Sequence, residues 1–361
     1  MIMGKIFRFV IGLTVVLGVL GAGCEQKQQA GSPIQSGQAA PTPAKSEQGQ
    51  VKTGEVAKPK PAAIKMELKP AVGQEDTYKT ATEMKRIIKW EGAIPSKDIP
   101  EESFSDDKME MVFTRRIESK DANGDAIARV TIDRLKYTSV MKNQTVVDFD
   151  SSAPADANNP LAGLTGQSYT ITIEPNNYVS SVTNLPRANV LMKGMTTADR
   201  IGQNILSADA IRGIQSTLLL PPAGREDLLP GDKWSQIKTF GFGMMGIKSY
   251  EKIYTLKDVQ DFNGRKIAVI GMSAIPSSEV EPKYSEQQGK AGSSSMFDTN
   301  EVFTGKGELD LTAGCIKNYS ENLKTSWIAA IPPSVSKASD ANEPTVLKMT
   351  AVYSYTLEKI K

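Results

Sequence analysis

The sequence predicts a mainly β (α+β) protein, a large curved antiparallel sheet or half-barrel built from two duplicated β halves with a helical segment between them. Three observations carry that prediction. Apolar residues recur at every second position, two Asn-Gly pairs each stand between such runs, and one capped amphipathic stretch lies in mid-chain.

The C-terminal run is the clearest strand. After Leu347 no glycine or proline interrupts the chain, and Leu347, Met349, Ala351, Tyr353, Tyr355 and Leu357 alternate with Lys348, Thr350, Val352, Ser354, Thr356 and Glu358. One face is apolar and the other wet, apart from Val352. The same period of two marks Met109, Met111 and Phe113; Ala128, Val130 and Ile132; Tyr169, Ile171 and Ile173; and Leu309 and Leu311. Half-buried antiparallel strands explain all of these.

Asn123-Gly124 and Asn263-Gly264 supply the positive φ angles that a tight hairpin turn requires. Asp121–Val130 and Asp261–Ile270 share Asp, Asn, Gly, Ile and Ala at matching offsets about 140 residues apart, and Gly166–Tyr178 and Gly307–Tyr319 repeat a glycine, strand, turn, tyrosine order at nearly the same offset. A tandem duplication is the reading. Convergence of unrelated hairpins on Asn-Gly is the competing one.

In mid-chain Thr196 and Asp199 fit a capping box, and Ile201, Ile205 and Ala208 fall on one helical face. A second helical turn follows through Ile211, Ile214 and Leu218 and is stopped by Pro221-Pro222. The helices cross or flank a sheet of about eight to ten strands. Long polar connections at Ser151–Thr165, Ser277–Asn300 and Pro332–Pro344 have compositions that favour disorder.

Lys5 and Arg8, the apolar run Phe9–Leu20, and then Gly21, Ala22, Gly23 and Cys24 form a lipoprotein export signal, with Cys24 as the lipidated residue. Gly21 stands where such signals usually carry leucine, so cleavage near Ala22 with release of the protein is the alternative. Glu25, in place of a retaining Asp, points by resemblance to the outer membrane facing the periplasm. Residues 25–65 are rich in Pro, Ala, Gln, Gly, Ser and Lys and hold no aromatic residue, which makes them a tether. As a flexible coil it reaches roughly 35 to 40 Å. The division is therefore signal 1–24, disordered tether 25–65, first β half 66–195, helical connection 196–222 and second β half 223–361. The second cysteine, Cys315, lies in an apolar context and reads as a buried thiol; a bond to Cys24 would require that Cys24 escape lipidation.

The absence of histidine excludes Ser-His-Asp and Cys-His machinery and imidazole metal sites within one chain. Ser249-Tyr250-Glu251-Lys252 spells S-x-x-K, but in strand-like sequence, where positions three apart face opposite sides. Asp121, Asn123 and Asp125 resemble the start of a calcium loop, yet Ala126 and Ile132 occupy the places of the required glycine and glutamate. Glu101, Glu102, Asp106 and Asp107, or Asp148 and Asp150, are the carboxylates available for glycoside chemistry. No catalytic residue, metal or cofactor is predicted. The net charge of +2, with acids and bases interspersed, gives no nucleic-acid footprint.

The most unusual segment is Phe240-Gly241-Phe242-Gly243-Met244-Met245-Gly246, where glycines strip one face of a strand while Phe and Met load the other. Phe240, Phe242, Met244 and Met245 are the candidate apolar binding surface, against a reading in which Phe240 and Phe242 fill the core of a sharply curved sheet. Trp90, Trp234 and Trp327 read as core residues.

Leu229-Pro230-Gly231-Asp232-Lys233-Trp234, Tyr254-Thr255-Leu256, Asn263–Val269 and Gly305–Asp310 resemble a family of bacterial lipoproteins known only as a domain of unknown function. The resemblance covers most of residues 66–361 and implies an envelope localisation and a β fold, with no catalytic residues to carry over. The expected function is a non-enzymatic, membrane-anchored envelope lipoprotein that binds a hydrophobic ligand or an envelope protein, or serves a structural role. The alternative is a carboxylate-dependent glycan hydrolase. The expected partners are the membrane, through the N-terminal lipid, and that ligand or protein, with no nucleic acid and the oligomeric state open.

Overall fold

Long runs of alternating residues fold into long strands, and here they make nearly the whole structure. The computed structural model describes residues 63–92, 101–186, 196–217, 219–222, 224–242, 247–281, 284, 297–331 and 345–361. The expected export signal with Cys24, nearly all of the expected tether, Leu218, Met244 and Met245 lie outside the described residues. The strands are β1 (Ile64–Lys65), β2 (Glu75–Glu91), β3 (Glu102–Lys120), β4 (Ala126–Met141), β5 (Gln144–Asp150), β6 (Ser168–Ile173) and β7 (Val179–Thr183), then β8 (Asp227–Leu228), β9 (Lys233–Gly241), β10 (Ile247–Phe262), β11 (Arg265–Ser277), β12 (Phe297–Asp310), β13 (Cys315–Ile331) and β14 (Thr345–Lys359). Between β7 and β8 stand helices α1 (Thr197–Ile205) and α2 (Ala208–Gln215).

A 12-stranded antiparallel sheet runs β7-β6-β4-β3-β2-β14-β13-β12-β11-β10-β9, with β5 paired to the far half of β4. The remaining pair, β1 with β8, forms a small separate sheet. The expectation of about eight to ten strands falls short because β5 and β7 are short and β2 alternates weakly, presenting Thr80 and Thr82 inward beside Tyr78. The two Asn-Gly hairpins, β3–β4 and β10–β11, occupy corresponding places in two meanders, β2-β3-β4-β6-β7 and β9-β10-β11-β12-β13, and β14 joins them against β2.

The sheet is open but strongly curled. Neighbouring strands lie about 4.8 Å apart, so β9 and β14 would stand roughly 24 Å apart if the sheet were flat. Instead the rings of Phe240 on β9 and Tyr353 on β14 approach to 5.2 Å. The second half folds its inner face onto itself as a half-barrel. In the first half the trough is filled by helices: α2 bonds to β3 through Gln215 and Arg115, to β6 through Gln215 and Tyr169, and to β14 through Ile214 and Tyr355.

Local chemistry sets these elements. The Thr196 hydroxyl accepts from the Asp199 N–H at 3.1 Å and the Asp199 carboxylate accepts from the Thr196 N–H at 3.0 Å, so the capping box starts α1 as expected. Ser207 caps α2, which makes Ala208 the first residue of that helix, not part of the face of α1. Asn263 and Gly264 both take positive φ, and Phe262 pairs with Arg265 across a two-residue turn. The Asn123-Gly124 turn differs from expectation. Only Gly124 has positive φ, and the Asp121 carboxylate accepts from the N–H groups of Asn123 and Asp125, widening the connection.

Two further corrections follow from packing. β1 draws Ile64 and Lys65 into the folded domain, inside the segment that composition assigns to the tether, because β8 supplies hydrogen-bonding partners. Residues 151–165, expected to be disordered, form two short 3₁₀ turns whose Leu161 and Leu164 are completely buried. Leucines three apart anchor a polar loop that composition alone marks as loose.

Candidate functional site in the concave face

The inner face of the curled sheet gathers a buried aromatic cluster and a buried charged network. In the second half Phe240 and Phe242 are buried and lie among Tyr250, Phe303, Tyr353 and Trp327, with centroid distances of 4.7 Å for Phe242–Trp327 and 5.8 Å for Phe240–Phe303. These edge-to-face contacts make them core residues of the half-barrel. The glycine between them leaves the outer face bare, and the Tyr284 ring covers it, 3.7 Å from where a Gly241 Cβ would stand. Met244 and Met245 add nothing that can be placed. Trp234 and Trp327 are buried, whereas Trp90 is only half-buried.

Behind the aromatic cluster lies a charged network absent from the sequence-based candidates. The Lys252 ammonium on β10 donates to Glu321 Oε2 on β13 at 2.6 Å and to the Tyr319 hydroxyl at 2.9 Å, and the Tyr319 hydroxyl donates to the same carboxylate oxygen at 2.6 Å. The ammonium also sits within 5.4 to 5.8 Å of the ring centres of Tyr254, Phe303 and Tyr319. Burial works against charge on Lys252, but Glu321 outweighs it and holds the amine above its ordinary value. Burial works against the Glu321 carboxylate too, and Lys252 outweighs that and holds the acid below the usual range. Burial together with the Glu321 charge pushes the Tyr319 and Tyr353 phenols well up. An amine held protonated is no nucleophile and an acid held ionised is no proton donor. The network is a clamp across the half-barrel.

The S-x-x-K residues are not brought together: the Ser249 hydroxyl pairs with Thr239 at 2.8 Å, while Lys252 belongs to the clamp. Consecutive Asp106 and Asp107 face opposite sides of β3. Asp106 meets Lys85 and Lys108 outside, and Asp107 accepts from Ser139 at 2.6 Å inside. Asp150 is held far below the usual carboxylate range by Ser152 and Arg134, Asp148 is exposed, and the Glu101 side chain is exposed. Asp106 and Asp107 are thus divided between the two faces, whereas Asp148 and Asp150 share the outer face of β5.

At the end of the sheet where the connections 92–101, 242–246, 278–296 and 332–344 leave the strands, the inner face of β2 carries Met84, Ile88 and Trp90, paired in register with Tyr353, Met349 and Leu347 of β14. The β14 residues are buried while those of β2 are only half-buried. Arg86 shares this face, across from Ala351, and its charge breaks the apolar period of two that would have marked the row in the sequence.

No family model and no curated protein matches the chain. Among solved structures, one described as showing lipid-protein interactions in lipovitellin aligns with 81% of this chain and 26% of its own, at 9% identity and a TM-score of 0.36. The chain thus spans about a quarter of that protein, and a likeness of this degree assigns neither family nor activity.

Proposed function

We propose that this chain is an envelope lipoprotein, anchored through Cys24, whose curled β domain acts by binding an apolar ligand or partner and performs no catalysis. The row Met84, Ile88 and Trp90 supports this most directly. It is apolar surface, interrupted by Arg86, on the inner side of an open sheet, left half-covered where the rest of the trough is filled by α2 or by the curl. The export signal and the tether composition support the anchoring and the localisation at the outer membrane, facing the periplasm.

Native mass spectrometry of the full chain, released from mild detergent, tests both parts. The expected spectrum shows a covalent lipid mass that disappears in Cys24→Ser and a non-covalent apolar species that disappears in Trp90→Asp. An unmodified Cys24 overturns the anchor. An apolar species retained in Trp90→Asp, or none in the wild type, overturns the binding surface.

A further inference from the structure

At the opposite end of the trough Arg115 is 8% exposed on the inner face of β3, directly across from Asp76 of β2. A guanidinium is always protonated and carries five donors in a planar fork. One is used, from Nη2 to the neutral Gln215 Oε1 at 3.2 Å, while Nε has no partner. The carbon of the fork lies 4.9 Å over the Tyr78 ring. The facing carboxylate is engaged elsewhere: Asp76 accepts from Lys359 at 2.6 Å and from Gln74 at 2.8 Å.

Summed over this wall, Lys359 cancels Asp76 and Arg115 remains as one unbalanced positive charge. The other titratable neighbours do not cancel it, since burial raises both the Tyr78 phenol and the Cys315 thiol and keeps them neutral. An unpaired buried cation is costly unless something completes it. Arg115 and Asp76 line a cavity of about 30 Å³, whose apolar walls include Ile117, Ile173 and Leu357. That volume admits a water or two, or the head of a small planar anion, and is tight for a tetrahedral one.

We propose that this cavity is an anion site that takes a carboxylate carried on a small molecule, gripped by the free side of the Arg115 fork. The single excess charge matches a monoanion, and a planar carboxylate matches the fork in a way that a spherical ion does not. The site lies at the far end of the sheet from the Met84, Ile88 and Trp90 row and stands independently of the function proposed above.

The test is thermal unfolding of the full chain with sodium acetate replacing sodium fluoride at constant ionic strength, joined with line broadening of ¹³C-acetate on the wild-type protein. The expected result is a midpoint that climbs with the logarithm of acetate concentration in wild type. The climb is absent in Arg115→Gln and is shifted to at least about tenfold higher acetate in Arg115→Lys, which keeps the charge but not the fork. Broadening is expected in wild type and needs no variant to fold. A flat midpoint without broadening overturns the site, as does an equal response in wild type and Arg115→Gln, which would mark a general salt effect.

Discussion

Removing one member of the Lys252–Glu321 clamp should destabilise the fold far more than removing both. On a flat sheet β10 and β13 would be about 14 Å apart, yet the ammonium and carboxylate meet at 2.6 Å with side chains only 8% and 5% exposed. Glu321→Leu leaves Lys252 buried with the Tyr319 hydroxyl and three ring faces, which offset little of a full charge, and the expected loss is about 3 to 5 kcal/mol. Lys252→Met leaves a buried carboxylate with only the neutral Tyr319 and Tyr353 phenols and should lose a similar amount. The double variant Lys252→Met/Glu321→Leu keeps comparable volume with no charge and should lie within about 1 kcal/mol of wild type or above it. Urea denaturation of the full chain followed by tryptophan fluorescence measures all four, with the slope checked for constancy. The double-mutant cycle then gives a coupling of about 3 kcal/mol or more. The pH dependence has a definite sign. The Glu321 contribution is present above the unfolded carboxylate value of about 4.3 and is lost as pH falls through the lower folded value. The Lys252 contribution is present below the unfolded value of about 10.4 and is lost as pH rises through the raised folded value. In each single variant burial alone acts on the group left behind, so the Glu321→Leu loss should shrink as pH rises toward the unfolded lysine value of about 10.4, and the Lys252→Met loss should shrink as pH falls toward the unfolded carboxylate value of about 4.3. Single losses under about 1 kcal/mol, or a double variant as unstable as the sum of the singles, would refute the clamp.

Phe240→Ala should lose about 3 to 5 kcal/mol in the same assay, because Phe240 packs against Tyr250, Phe303 and Tyr353 and holds the curl; a loss under about 1 kcal/mol would mean the edge strand is not seated there. Gly314 turns β12 into β13 at φ 62°, and a Cβ there would stand 2.6 Å from the Lys69 backbone nitrogen, so Gly314→Ala should cost about 2 kcal/mol or more from strain and clash together. A shift in the urea midpoint with unchanged slope checks it. Cys315 is 6% exposed and its thiol is raised by burial, so alkylation by iodoacetamide at pH 8 should run at least about a hundredfold slower in the native protein than in urea; equal rates would place the thiol at the surface.

Much of the β architecture was legible from residue types alone. A strand that is wet on one side announces itself by its period of two, as in β14 and β4, because the pleat sends neighbours to opposite faces. The α1 cap was legible because a capping box is closed within four residues. The candidate site was legible only in part. Phe240 and Phe242 stood out, but whether they line a surface or fill a core depends on which strand lies opposite, and that strand is β14, more than a hundred residues away.

Composition and local pattern thus determined the antiparallel strands, the helical connection and the exclusion of histidine chemistry, and the proposed export signal and tether rest on them alone. The tertiary structure alone decided how far the sheet curls, that Lys252 meets Glu321, and that Arg115 is left without a carboxylate while its cross-strand neighbour Asp76 pairs with Lys359. The physical reason is range. Period, caps and turns are set by neighbours within a few residues, whereas a buried charge is defined by the partners that a curled sheet brings to it from distant strands.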